Sequence, residues 1–198
     1  MSDSRPGDRP ADWDERHRGR PPGQAEPFLV AMLARIPHAG LALDVAAGRG
    51  RNALALARAG LAVVAVDRSI EAIRTVAATA RTRRLAIWPV VANLDNFHLK
   101  DESFDVIVNI NFLDRALFPQ FVRALKPGGI LIADTFLVDH AAIGHPRDPR
   151  FLLGHGELRA LADGLEIEEY REGLSDYPGA EPAYRASMAA RRKAAPRK

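Results

Sequence analysis

From residue 41 onward the chain alternates short apolar runs with longer amphipathic stretches. Residues 41–46, 62–67, 86–92, 104–110 and 130–136 are apolar runs of strand length. The stretches between them carry the three- and four-residue apolar spacing of helices. The pattern predicts a helix over 52–59, closed by Gly60, and another from Ser69, a capping residue, to about 81. Pro89 assigns the 86–92 strand to a sheet edge, because it lacks a ladder N–H. Residues 112–125 read as a helix that Pro119 kinks or divides, and 126–129 (Lys-Pro-Gly-Gly) as a turn. Upstream, 11–18 is a short helix. Residues 24–36 form a second, with Phe28, Leu29, Met32, Leu33 and Ile36 on one face and Pro37 at its end. Downstream, a loop over 137–154 leads to a short helix at 157–162. Two strands, 165–173 and 184–192, then close the sheet as an antiparallel hairpin.

Strands alternating with helices imply an α/β fold: one mostly parallel seven-stranded sheet, helices on both faces, joined by right-handed crossovers. The 198 residues suit a single domain. Residues 1–23, rich in Pro, Gly, Arg and Asp, form a flexible leading segment. Residues 24–193 form the domain and 194–198 a basic tail. No apolar run approaches the roughly 20 residues of a membrane span, and the leading segment lacks a signal-peptide core, so the expected location is cytoplasmic, away from membranes. With no cysteine, thiolate metal sites and thiol catalysis are excluded. The net charge of +3 conceals six positive charges in the last 14 residues, without which the rest is near −3. That end reads as a solubilising tail. A nucleic-acid contact is the alternative, without the interleaved aromatics that would support it.

The chemistry concentrates at 43–52, Leu-Asp-Val-Ala-Ala-Gly-Arg-Gly-Arg-Asn. An apolar strand ends in an acid, Asp44. Small residues then turn the chain into a helix, and a second acid, Asp67, ends the next strand. This describes a nucleoside-binding crevice at the carboxyl edge of a parallel sheet. Small residues let the backbone approach a ligand, and a carboxylate at the second strand end accepts from both ribose hydroxyls. Residues 48–53 also satisfy the G-x-G-x-x-A dinucleotide pattern, which leaves an NAD(P)-binding oxidoreductase as a rival.

These blocks resemble the class I S-adenosylmethionine (SAM) methyltransferases. Residues 44–50 resemble the acid-x-G-x-G-x-G motif, with Ala46 in place of the first glycine, and Asp67 the ribose acid. Residues 92–95 (Ala-Asn-Leu-Asp) resemble the adenine-flanking block, with Asn93 where an acid is usual. Residues 104–109 and 125–129 resemble the fourth and fifth blocks. Residues 50–52 with Leu56-Ala57, 156–158, 186–191, and Trp13-Asp14-Glu15-Arg16-His17 look most like the tellurite-resistance (TehB-like) and thiopurine-type small-molecule branch. His17 stands there for a tyrosine.

The resemblance implies a Rossmann-like fold, SAM as cofactor with S-adenosylhomocysteine (SAH) as product, and a small-molecule acceptor: a soft chalcogen, a thiol or a heteroaromatic nucleophile. It implies a cofactor site drawn from Trp13, Arg16, Asp44, Ala46, Ala47, Gly48, Gly50, Arg51, Asn52, Asp67, Arg68, Ser69, Asn93, Leu94, Asn109 and Ile110. Asn109 is the catalytic candidate, facing the sulfonium or the acceptor; otherwise it only satisfies backbone after its strand. Trp13 and Arg16 belong to a lid, with Arg16 near the SAM carboxylate, or else to a surface helix anchored by one Trp. No residue stands out as a general base. A SAM-binding regulator without turnover is a further rival. His140, His145 and His155 read as solvated loop residues, a metal site being the alternative; no metal is expected. Glu157 reads as a helix-starting acid that suits the dipole.

Overall fold

The computed structural model describes residues 10–175, 177 and 181–194. Its strands are β1 (Leu41–Val45), β2 (Ala62–Asp67), β3 (Ile87–Val91), β4 (Phe104–Ile110), β5 (Leu125–Phe136), β6 (Leu165–Ser175) and β7 (Ala183–Arg192). They form one sheet in the order β3-β2-β1-β4-β5-β7-β6. The first five pair in parallel. β7 inserts antiparallel between β5 and β6. Pro89 lies on the edge strand β3, where a missing N–H leaves no gap in the ladder.

Both faces of the central strands are buried, which explains their nearly unbroken apolar runs. One face carries Ala42, Val63, Ala65, Val106, Val108, Ile110, Ile130, Ile132 and Ala189. It packs against α2 (Pro27–Met32), α3 (Arg51–Arg58) and α4 (Ile70–Arg83). The other carries Leu43, Val45, Val66, Ile107, Leu131, Ala133 and Met188, under α5 (Phe118–Ala124) and α6 (Glu157–Leu161). Ser69 caps α4, accepting from the Ala72 N–H at 3.1 Å. The leading segment holds α1 (Pro10–His17).

The structure departs from the sequence reading at three proline-bearing stretches. The expected helix over 24–36 is only α2, followed by a 3-10 turn over Leu33–Arg35. Pro27 holds Glu26 extended, so the helix starts at the proline, and the chain tightens ahead of Pro37. The helix expected over 112–125 is a 3-10 turn, Arg115–Leu117, capped by Asp114, and then α5, with Pro119 in the first turn, where a missing N–H costs nothing. The turn expected at 126–129 is instead part of β5. Pairing with β4 shifts register there, from Phe104↔Leu125 to Val106↔Ile130, as the segment passes through Gly128 at φ +83°.

Strand order reverses about β1: β2 lies on one side and β4 on the other. The crevice this reversal opens lies at the carboxyl ends of β1 and β4, where Val45 pairs with Asn109. Side-chain alternation puts Asp44, Asp67 and Asp134 at that edge on the same face as α2, α3 and α4.

Candidate functional site

The turn after β1 is strained. Ala46, Gly48 and Gly50 all take left-handed conformations, at φ +51°, +53° and +81°. For alanine this costs about 1 kcal/mol, so Ala46 reproduces the glycine shape at a penalty. Gly50 cannot be replaced so cheaply: a Cβ there would sit 2.8 Å from Val76 Cγ2. The Ala47 N–H donates to the Val66 carbonyl at 2.9 Å, pinning the turn to β2.

Asp44 is 1% exposed, and its Oδ2 accepts from the Ala53 N–H in the first turn of α3 at 2.9 Å. Burial pushes its carboxyl up to about 7, against the lowering effects of that hydrogen bond and of nearby Arg51. Arg51 itself pairs with Glu26 at 2.6 Å, and Asn52 Oδ1 accepts from the Glu26 N–H at 3.0 Å. Arg51 and Asn52 therefore tie α3 to the start of α2.

At the end of β2, Asp67 accepts from two backbone amides: Gly48 N–H to Oδ2 at 2.7 Å and Ser69 N–H to Oδ1 at 2.8 Å. Arg68 beside it keeps a buried Nε without a partner. Helix α1 docks on this corner. The Ser69 hydroxyl donates to Asp14 Oδ1 at 2.6 Å, and the Glu71 N–H to the same oxygen at 3.3 Å. The Ser69 bond is the main influence holding the Asp14 carboxyl below its usual range. Burial lowers the pKa of His17, whose Nδ1 faces Arg49 Nη1 at 3.1 Å. Its ring lies so near the turn that a Cβ on Gly48 would be 3.5 Å from Cε1. Trp13 stacks on His17, with ring centroids 6.3 Å apart, and Arg16 lies exposed over the Trp13 ring at 4.7 Å.

Farther along the edge, Asn93 is exposed and caps the turn Leu94–Asn96, accepting from the Asp95 N–H at 3.2 Å. Leu94 and Ile110 are buried in the two cores. Asn109 is 1% exposed. Its Nδ2 donates to the Phe112 carbonyl at 3.2 Å, while Oδ1 has no partner.

Sequence reasoning passed over a second polar cluster at the ends of β5 and β7. Asp134 is fully buried and accepts from Arg185 Nε at 2.6 Å. Burial raises its carboxyl to about 6 despite the guanidinium. Arg185 Nη2 also donates to Asn111 Oδ1 at 2.5 Å, and its Cζ lies 4.4 Å from the Phe136 ring centre. Of the three histidines in and just beyond the following loop, His140 departs from the expectation of solvated side chains. His140 is buried and stacks on Phe136 at 4.6 Å. His155 is exposed but sits between Asp139 at 2.9 Å and Glu172 at 2.6 Å, which raise its pKa. Only His145 is both exposed and outside any side-chain pairing recorded among the described residues. Glu157 begins α6 and also pairs with Arg115 at 2.5 Å. Among the described residues no group of three or more His, Asp or Glu is arranged to hold a metal ion, and no helix is long and apolar enough to cross a membrane.

Comparison with known proteins agrees with this geometry. Residues 42–129 match a family described as a methyltransferase domain. The chain is 34% identical over 143 residues to a ubiquinone biosynthesis O-methyltransferase of Caulobacter vibrioides, covering 62% of this chain and 57% of the relative. The chain thus spans little more than half the length of that curated relative. Among solved structures, TehB from Haemophilus influenzae superposes with TM-score 0.72 at 21% identity, over 85% of this chain and 63% of TehB. A protein from a study of the conversion of a disulfide bond into a thioacetal group during echinomycin biosynthesis superposes with TM-score 0.69 at 25% identity, over 91% of each chain. The fold is that of TehB, with the same mostly parallel sheet closed by an antiparallel pair.

Two predictions follow from the corner geometry. Ser69→Ala removes both the α4 cap and the hydroxyl that holds Asp14. It should cost about 1 kcal/mol in urea unfolding and speed trypsin cleavage after Arg16 and Arg18. Asp14→Ala should reproduce the faster cleavage with less loss of stability; unchanged cleavage in both variants would show that this bond does not hold α1.

The second concerns Asp44. A carboxyl raised to about 7 when folded, from an ordinary value near 4, favours folding while protonated. That contribution is fully present below pH 4 and is lost as pH rises through 7. Asp44→Asn keeps an acceptor for the Ala53 N–H but cannot ionise. The stability of the variant relative to wild type should therefore increase steadily from pH 4 to pH 7 in denaturant titrations. A difference independent of pH would mean that Asp44 titrates normally.

Proposed function

On the premise of a class I SAM-dependent methyltransferase fold, we propose that this chain moves a methyl group from SAM to a small-molecule acceptor. The observation that carries the reading is Asp67, a carboxylate fixed by two backbone amides beside a turn of three left-handed residues. The donor set suits SAM. Asp67 keeps lone pairs for the ribose hydroxyls. The small residues at 46–50 leave room for the methionine backbone. Asp44 offers negative charge for the amine, directly or through water. Asn93, Leu94, Arg68 and Ser69 flank the nucleoside side, and Asn109 and Ile110 the reacting end.

The same features disfavour a nicotinamide dinucleotide. A pyrophosphate would need the amide groups at the start of α3, and the Asp44 carboxyl already occupies the Ala53 N–H.

When bound, SAM supplies a methyl group already activated by a sulfonium charge. The protein's work is then to position and to exclude water. Helix α1, with His17 against the glycine turn and Trp13 stacked on His17, is the lid in this reading, and Arg16 is available to the carboxylate once it leaves the Trp13 ring. Residues 24–193 are the catalytic domain. Asn109, oriented by Phe112, turns a free carbonyl oxygen toward the reacting end. The acceptor classes that fit are a chalcogen, a thiol or a heteroaromatic nucleophile.

SAM and SAH should bind with 1:1 stoichiometry and stabilise the fold, by about 2.7 kcal/mol at 100 times the dissociation constant. Asp67→Ala should weaken SAH binding roughly 10- to 150-fold by calorimetry, the worth of about 1.5–3 kcal/mol for hydrogen bonds to a charged acceptor. A thermal shift with NADH and none with SAM or SAH would overturn the reading.

A further inference from the structure

The ring of His17 is held on three sides. Its Cε1 edge faces the glycine turn, 3.5 Å from where a Cβ on Gly48 would stand. Trp13 stacks on the ring from the same helix. Its Nδ1 faces Arg49 Nη1 at 3.1 Å. A guanidinium carries N–H donors and no acceptor. Nδ1 is therefore the acceptor, which puts the proton on Nε2 and makes the ring neutral. Arg49 is tethered as well. Its Nε donates to the Pro21 carbonyl at 2.9 Å, so moving the guanidinium away breaks that bond.

A second proton on His17 would set two N–H groups head to head and press a positive charge against the guanidinium. The other groups around the ring do not offset this. Asp67, at the end of β2, already accepts from the Gly48 and Ser69 amides. Asp14, on α1, accepts from the Ser69 hydroxyl and the Glu71 amide. Both acids attract a protonated ring from a distance, while Arg16 joins Arg49 in opposing it. Helix α4, on which α1 rests, brings Glu71, whose carboxylate pairs with Arg74 at 2.7 Å. The balance, led by burial, holds the pKa of His17 below its usual value.

We propose that His17 is a proton-controlled latch: α1 lies on the glycine turn while His17 is neutral and comes off it when His17 takes a proton, so that mild acid opens the lid. A base that binds its proton more weakly in the seated helix than in the free one unseats the helix as it protonates. Seating is thus full above the ordinary imidazole value of about 6.5 and declines as pH falls below it. The second anchor of α1 does not share this dependence. The Ser69 hydroxyl holds the Asp14 carboxyl below its usual range, so Asp14 stays ionised throughout. The latch stands on the contacts of α1 alone; its control over ligand binding rests on the methyl-transfer reading, in which α1 is the lid.

The test compares the full chain with two variants. His17→Asn keeps an acceptor near Nδ1 and cannot take a proton. Arg49→Gln replaces a donor-only partner with an amide whose oxygen accepts from a protonated ring. Trypsin cleavage after Arg16 and Arg18 is followed without ligand from pH 8 to pH 5.5. Dividing each rate by that of His17→Asn at the same pH removes the protease's own pH dependence, even where α1 has come off in that variant. For wild type this ratio should rise roughly threefold or more as the pH falls, and for Arg49→Gln it should stay flat. By calorimetry, SAH affinity relative to His17→Asn should fall roughly threefold or more over the same range. Asp44 titrates in both proteins and cancels. A wild-type ratio independent of pH, or an equal rise in Arg49→Gln, would overturn the latch. Opening with no fall in relative SAH affinity would overturn its control of the ligand. No SAH binding by the wild type at any pH would instead overturn the methyl-transfer reading, with the cleavage ratio still deciding the latch.

Discussion

The Asp67 carboxylate holds this site together. One oxygen takes the Gly48 amide from the turn after β1, and the other takes the Ser69 amide at the start of α4. Without an acceptor there, a buried and a half-buried donor would lose their partners at a corner where the backbone is already strained. Ser69 extends the arrangement outward: its hydroxyl oxygen accepts from the Ala72 N–H and its proton goes to Asp14, which seats α1. Turn, helix start and leading helix are thus linked through two side chains, Asp67 and Ser69. The same carboxylate has the capacity to recognise a ribose.

The electrostatics divide along the sheet edge. Around β2, Asp67 is held by two backbone amides, and the Ser69 hydroxyl keeps the Asp14 carboxyl below its usual range. Under α2 and α3, burial wins. Asp44 and Asp134 are both raised, to about 7 and about 6, because desolvation outweighs the lowering from a backbone amide in one case and a guanidinium in the other. Charged-group burial of this kind reduces stability near neutral pH, and it is often found where ligands supply the missing charge or donors. A cationic amine near Asp44 would relieve such a cost.

Much of this was legible in the sequence. β2 and β4 fall where the apolar runs predict, and Pro89 marked the edge strand. The acids and small residues of 44–52 and 67 marked the strand ends and the tight turn where the strand order reverses. Helix lengths near Pro27 and Pro119 were overestimated because apolar spacing continues through a proline that the backbone cannot follow. Asp14 was visible within a motif, but its role depends on where α4 begins. The Asp134–Arg185 pair was hidden for a topological reason. The partners are 51 residues apart and meet only because β7 inserts beside β5. Burial of His140 likewise follows from its stacking on Phe136, which no local pattern announces.

The most direct test of the account is a crystal structure of the full chain with SAH. The account predicts the ribose hydroxyls on the Asp67 carboxylate, the homocysteine portion along the 46–50 turn, and α1 closed over both. SAH bound elsewhere, or bound with no contact to Asp67, would contradict it.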